Sequence, residues 1–235
     1  MNSNSRRAAL VLAAFGWLVP EVAITAPTSA AQTAPAGFFR AVARDDDGEV
    51  RVYLLRGTRV SSRNEAGTPA LVLAAAERAF KVVRTFLAIP GTEVDVANQD
   101  QETALMYAAL HGSVETAQLL IEKGAEVNRT GWTPLHYAAT SGSEAMVHLL
   151  LENHAYIDAE SPNRTTPLML AVRQRHDVLA RQLIAEGADP AVRNDAGLAA
   201  ADYAQRGANQ ALADWIRAKA TEFNARYRPG GTVRR

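Results

Sequence analysis

Apolar positions along this chain fall in pairs of short helical faces separated by polar turns. The clearest pair starts at Gly131-Trp132-Thr133-Pro134-Leu135-His136-Tyr137-Ala138-Ala139. Thr133 suits a helix N-cap, and Pro134 then takes the first helical position, where the missing N–H costs nothing. Leu135, Ala138 and Ala139 share one face at i, i+3 and i+4. Gly142 predicts a left-handed stop. Ser143 predicts the cap of a second helix, whose apolar face holds Val147, Leu150 and Leu151. The small residue in the middle of the first helix recurs as Ala41, Ala74, Ala108, Ala138, Ala171 and Ala204, at steps of 33, 34, 30, 33 and 33. Twelve and thirteen residues after each marker stand Tyr53-Leu54, Phe86-Leu87, Leu120-Ile121, Leu150-Leu151, Leu183-Ile184 and Ile216-Arg217. Only the last pair turns polar, as a terminal repeat with a solvated outer face requires.

Thr133-Pro134-Leu135-His136, the two alanines, a glycine, a Leu-Leu pair and then Gly124-Ala125-Glu126-Val127-Asn128 or Gly187-Ala188-Asp189-Pro190 together resemble the ankyrin-repeat motif. The resemblance extends over residues 38–220. It implies an all-α ankyrin-repeat solenoid of about six helix-turn-helix repeats, at 38–62, 63–97, 98–128, 129–159, 160–190 and 191–220, joined by β-hairpin-like fingers. It also implies that Thr and His of the motif hydrogen-bond to stabilise the turn, a pair complete only in Thr133 and His136. Several places depart from the motif. Pro90-Gly91 replaces Gly-Ala, and His154 stands where glycine is expected, a strained choice. Ala199-Ala200-Ala201 has lost Thr-Pro-Leu. The 30-residue step places a loss of about three residues in the finger before the fourth repeat. That blunted finger is expected to bring Trp132 close to the surface groove.

Outside the repeats, residues 1–31 read as a cleaved export signal. Arg6-Arg7 gives a positive start, and Ala8 to Val19 is an apolar run too short for a mature membrane span. Ser29-x-Ala31 offers a cleavage site. Residues 32–37 read as an Ala/Pro linker, and 221–235, with Arg226, Arg228, Arg234 and Arg235, as a flexible basic tail. Localisation is therefore expected to be periplasmic or secreted, with no stable membrane anchor after cleavage.

Composition narrows the chemistry. The 235 residues hold 25 Lys+Arg against 25 Asp+Glu, which argues against nucleic acid as a partner. There is no cysteine, so disulfides, thiolate zinc sites, Cys nucleophiles and lipidation at an N-terminal Cys are excluded. No Gly-x-Ser-x-Gly, His-Glu-x-x-His or phosphate-cradling glycine loop occurs. Neither a catalytic site, a metal site nor a cofactor is expected. Asp45-Asp46-Asp47 reads as acids at a helix N-terminus, where the dipole favours them, rather than as metal ligands.

What remains is a non-enzymatic module that binds a protein partner, acting as a monomer. The ankyrin resemblance implies that partners meet a concave face of finger tips and first helices. Exposed positions on that face are expected to include Glu102, His111, Trp132, Tyr137, Thr140, Arg173, Gln174 and Arg175, with Arg206 further on. Trp132, Tyr137, Arg173 and Arg175 have the chemistry of interface anchors; packing between repeats is the competing role for the two aromatics, and a solvated face for the two arginines. Two other functions compete with this one. One is a secreted effector that acts on host proteins; the other is a small enzyme with an unrecognised site.

Overall fold

A computed structural model describes residues 34–227. The expected export signal at 1–31 and the end of the expected tail lie outside those residues. Twelve helices follow in chain order: α1 (Ala36–Ala43), α2 (Asp47–Leu55), α3 (Ala70–Ala76), α4 (Phe80–Leu87), α5 (Ala104–Leu110), α6 (Val114–Glu122), α7 (Pro134–Ser141), α8 (Glu144–Glu152), α9 (Pro167–Arg173), α10 (Asp177–Ala185), α11 (Ala200–Arg206) and α12 (Gln210–Tyr227). Each odd-numbered helix packs on the even-numbered helix after it. The odd-numbered helices also pack on one another in series, and α2, α4, α6 and α8 form a second row. The all-α repeat solenoid holds among the described residues, which contain no strand.

The packing follows from the marker alanines. Ala41, Ala74, Ala108, Ala138 and Ala171 are completely buried, and Ala204 nearly so. A methyl side chain at the crossing point lets consecutive first helices approach closely. Larger side chains fill the space around them, with Phe86, Leu120, Leu150, Leu183 and Ile216 closing α4, α6, α8, α10 and α12 onto the core. At the N-terminal end Phe38 meets Phe39, Tyr53 and Phe86 at ring-centroid distances of 5.2, 5.9 and 6.1 Å.

Two boundaries shift. α1 starts at Ala36, after Pro35, so the last two residues of the expected linker are helical. α12 runs on to Tyr227, past the expected start of the tail at 221. Phe223 packs on Tyr227 at 4.7 Å and Lys219 pairs with Glu222, contacts at helical spacing that carry the helix beyond the repeat.

Every positive-φ residue among those described falls into one of three positions of the repeat. The turn between paired helices holds Asp45, Arg78, Gly112, Gly142, Arg175 and Ala208. The turn after the second helix holds Gly57, Gly91, Gly124, His154 and Gly187, and the finger tip holds Gly67, Gln101, Gly131, Arg164 and Gly197. Non-glycine residues at these positions carry the left-handed penalty of about 1–2 kcal/mol. His154, at φ 64, is the strained choice its sequence position predicts. Its backbone carbonyl, which accepts from Asn128 Nδ2 at 2.8 Å, would be unchanged by substitution. His154→Gly should therefore stabilise the array by about 0.5–1 kcal/mol. A urea midpoint unchanged or lowered in this variant would contradict that.

Four fingers close in the same way. Asn64, Asn98, Ser161 and Asn194 each donate their N–H to the carbonyl four residues on, and each accepts the N–H three residues on. Two of these fingers add an antiparallel bridge, Arg63 to Pro69 and Ala97 to Thr103. The finger before α7 differs: the two turn glycines that bound it are Gly124 and Gly131, seven residues apart, where every other pair of such turns is ten apart. Asn128 does not close a finger here. It reaches forward instead, accepting from Tyr156 N at 2.8 Å as well as donating to His154 O. Asp95 and Asp158 do the corresponding work in neighbouring repeats, accepting from Glu126 N (2.9 Å) and Asp189 N (3.0 Å). The deletion has kept the residue that ties one loop to the next and removed the residues that project.

Candidate functional site: first helices and finger tips

The expected site residues separate into two groups. Glu102, Tyr137, His111 and Thr140 are tied into bonds between or within repeats; Trp132, Arg173, Gln174 and Arg175 are exposed.

Glu102 opens the third repeat and is the hub of a polar cluster. One carboxylate oxygen accepts from Tyr107 OH and from Asn98 Nδ2 (2.8 Å); the other accepts from Tyr137 OH at 2.6 Å, across the repeat boundary. Burial alone would raise the Glu102 carboxyl, but the three donors outweigh it and hold it below its ordinary 4.5. Both phenols move the other way. Burial, reinforced by the facing carboxylate, pushes Tyr107 up to about 12 and raises Tyr137 as well. Removing the bridging hydroxyl with Tyr137→Phe should cost about 1.5–2 kcal/mol, the usual worth of a hydrogen bond to a charged group. Glu102 has a lowered pKa in the folded state, so its contribution is present above 4.5 and fades as pH falls below it. The deficit of the variant, read by urea denaturation, should therefore be largest near neutral pH and shrink in acid. A deficit that grows in acid would contradict this account.

His111 stacks on Tyr107 at 6.5 Å and donates from Nε2 to Ala76 O at 2.9 Å, a bond to the previous repeat. Ser141 Oγ and His176 Nε2 make the same kind of bond, to Ala109 O (3.2 Å) and Thr140 O (3.0 Å). Thr140 also donates its hydroxyl to His136 O. These residues stitch the row of first helices along one edge. Asp45 stitches the second row by accepting from Val82 N at 3.0 Å in the first turn of α4, while Asp46 caps α2 by accepting from Glu49 N. Two members of the acid triplet are thus helix caps.

The Thr133–His136 pair forms as the motif implies. Thr133 N–H donates to His136 Nδ1 at 3.1 Å, and Thr133 Oγ1 lies 2.9 Å from the same nitrogen. Nδ1 is therefore an acceptor, which leaves the proton on Nε2, where it is donated to Thr165 O at 2.9 Å in the next repeat. Burial holds His136 below its ordinary 6.5, in the neutral form. Asp202 takes over this role in the sixth repeat, where Thr-Pro-Leu is lost, by accepting from Ala199 N at 2.9 Å.

Trp132 lies edge-on to the buried His136 ring at 5.2 Å and remains 39% exposed. The finger just before it is three residues shorter than the others and lacks their closing hydrogen bonds, and its Gly131 faces Pro162 of the next finger. Arg173, Gln174 and Arg175 are exposed at the end of α9 and the turn after it. The structure does not join them to Glu102 or Tyr137. Tyr107, Asn98 and His176 join these networks beyond the expected site residues. A signal for Tyr107 was present: tyrosine precedes the marker alanine in three repeats, as Tyr107, Tyr137 and Tyr203.

The family model for ankyrin repeats in three copies matches residues 38–130 and 71–161, and the single ankyrin-repeat model matches 163–195. A protein of Treponema pallidum (strain Nichols) described as ankyrin repeat-containing is 29% identical over 157 residues. The match takes in 66% of this chain, which spans 42% of that relative's length.

Proposed function

The chain belongs to the ankyrin-repeat family, and on that premise we propose that it is a non-enzymatic binding module whose groove of first helices and finger tips holds a protein partner. The observation that carries this reading is Trp132. It is a partly exposed aromatic packed edge-on against a buried ring, directly after the shortened finger. Aromatic and Arg side chains fixed at such a surface are the usual energetic anchors of an interface. Arg173 supplies a second anchor one repeat further on. The proposal includes export to the periplasm, supported by the sequence pattern of residues 1–31. Release as an effector acting on host proteins is the alternative, and fractionation of the producing cells separates the two.

The test is affinity capture from the producing cell's envelope fraction, comparing the wild type with Trp132→Ala/Arg173→Ala. A protein enriched by the wild type and lost with the double variant supports the reading. A protein retained equally by both places binding elsewhere on the array and overturns it.

A further inference from the structure

We infer that the C-terminal half of the groove selects an acidic, extended peptide segment, read by Arg173 and Arg206. This deepens the binding-module reading and rests on it. The two arginines occupy the same place in successive repeats, two residues after the marker alanines. The corresponding residues of the four earlier repeats are Ala43, Ala76, Leu110 and Thr140, so the fold does not need arginine there to end a first helix. Both arginines are exposed, and among the described residues neither guanidinium has a hydrogen-bond or ion-pair partner. That sets them apart from Arg164 and Arg193 on the nearby fingers, which are bound to Glu160 and Asp202.

The neighbouring acids are engaged elsewhere: Asp202 pairs with Arg193, and Asp195 on the finger before α11 acts on Arg164. Arg175 follows Arg173 at once, and the stretches 173–176 and 203–210 contain no Asp or Glu. Asp177, next along, is already bound by Asn209 at 2.6 Å. Farther up the row, the acid of Glu102 is spent on two tyrosines and Asn98. The chain is neutral overall, so this is a local positive patch and not a consequence of bulk charge.

Spacing selects the ligand. α9 packs on α11, and packed helices lie about 8–10 Å apart. In a chain extended as polyproline II, with three residues per turn and a rise of about 3.1 Å per residue, carboxylates three positions apart share one face and lie about 9 Å apart. Each can then meet one guanidinium, whose planar fork takes a carboxylate in a bidentate pair. A nucleic acid is the less favoured ligand, because two or three free arginines neutralise too few phosphates for appreciable binding at physiological salt.

The probe is a fluorescein-labelled peptide with glutamate at every third position, titrated into the full chain by fluorescence anisotropy. A glutamine version of the peptide and a single-stranded oligothymidylate are run beside it. The glutamate peptide should bind saturably and weaken with salt, while the glutamine peptide should not bind. Arg173→Glu/Arg206→Glu should weaken binding at least about tenfold, and Arg173→Gln/Arg206→Gln by a smaller factor. Lys81→Glu/Lys123→Glu, the same charge change in one second helix and just after another, should leave it within about twofold. Absence of glutamate-peptide binding, equal loss in the lysine variant, or tighter binding of the oligonucleotide each overturns the inference. If the peptide fails while Trp132→Ala/Arg173→Ala still loses a captured partner, the groove stands and the acidic ligand falls.

Discussion

Replacing His136 with alanine is expected to cost about 3 kcal/mol and lower the thermal midpoint by roughly 6–12 °C. The ring is 1% exposed and satisfies both of its nitrogens, one toward Thr133 in its own repeat and one toward Thr165 in the next. Alanine would leave the buried Thr133 N–H without a partner and the Thr165 carbonyl with only the N–H of Ser161. It would also open a cavity beneath Trp132. The same geometry gives a pH dependence. His136 has a folded pKa depressed below 6.5, so its contribution is whole above that value and is lost as pH falls from 6.5 toward the folded value. Protonation would place a hydrogen on Nδ1, facing the N–H of Thr133. Thermal melts from pH 8 to pH 5 should show wild-type stability falling through this window and the alanine variant nearly flat. A variant melting within 2 °C of wild type, or sharing its acid sensitivity, would rule this role out.

Gly142→Ala should cost about 2–3 kcal/mol, two to three times as much as Gly197→Ala, because two penalties coincide at residue 142. Gly142 has φ 77, and a Cβ there would lie 2.5, 2.6 and 2.8 Å from Nδ1, Cε1 and Cγ of His176. The imidazole would have to move and would lose its bond to Thr140 O. Gly197 has φ 72, nearly the same, but a Cβ there meets nothing within 4 Å, so only the backbone penalty of about 1 kcal/mol applies. Urea denaturation of both variants isolates the contact at 142 from the strain common to both. Equal losses would show that His176 contributes nothing across the repeat boundary.

The fold was legible because a solenoid writes its architecture locally. The marker alanines, the Thr133-Pro134 start and the glycine stops each act within one repeat and its neighbours. The 30-residue step even located the shortened finger. The polar cross-links were harder to read. Glu102 looks exposed from its position on the face, and nothing within one repeat shows that Tyr137, 35 residues away, reaches back to its carboxylate. His176 looks like an ordinary turn residue until Thr140 O stands beside it. The start of the expected tail at 221 was misplaced for a related reason. Phe223 and Tyr227 are too sparse to set an apolar periodicity, yet they pair on one side of a helix already under way.

The seven-residue link between Gly124 and Gly131 also bears on how such a chain changes over generations. One finger three residues shorter than the others leaves every downstream helix in register, because each repeat takes its position only from its neighbours. In a domain whose core joins distant segments, a gap of that size would shift everything after it. Here the part of the repeat that meets the outside world can be trimmed or regrown independently of the part that folds, so recognition is free to diversify at little cost to inheritance of the scaffold.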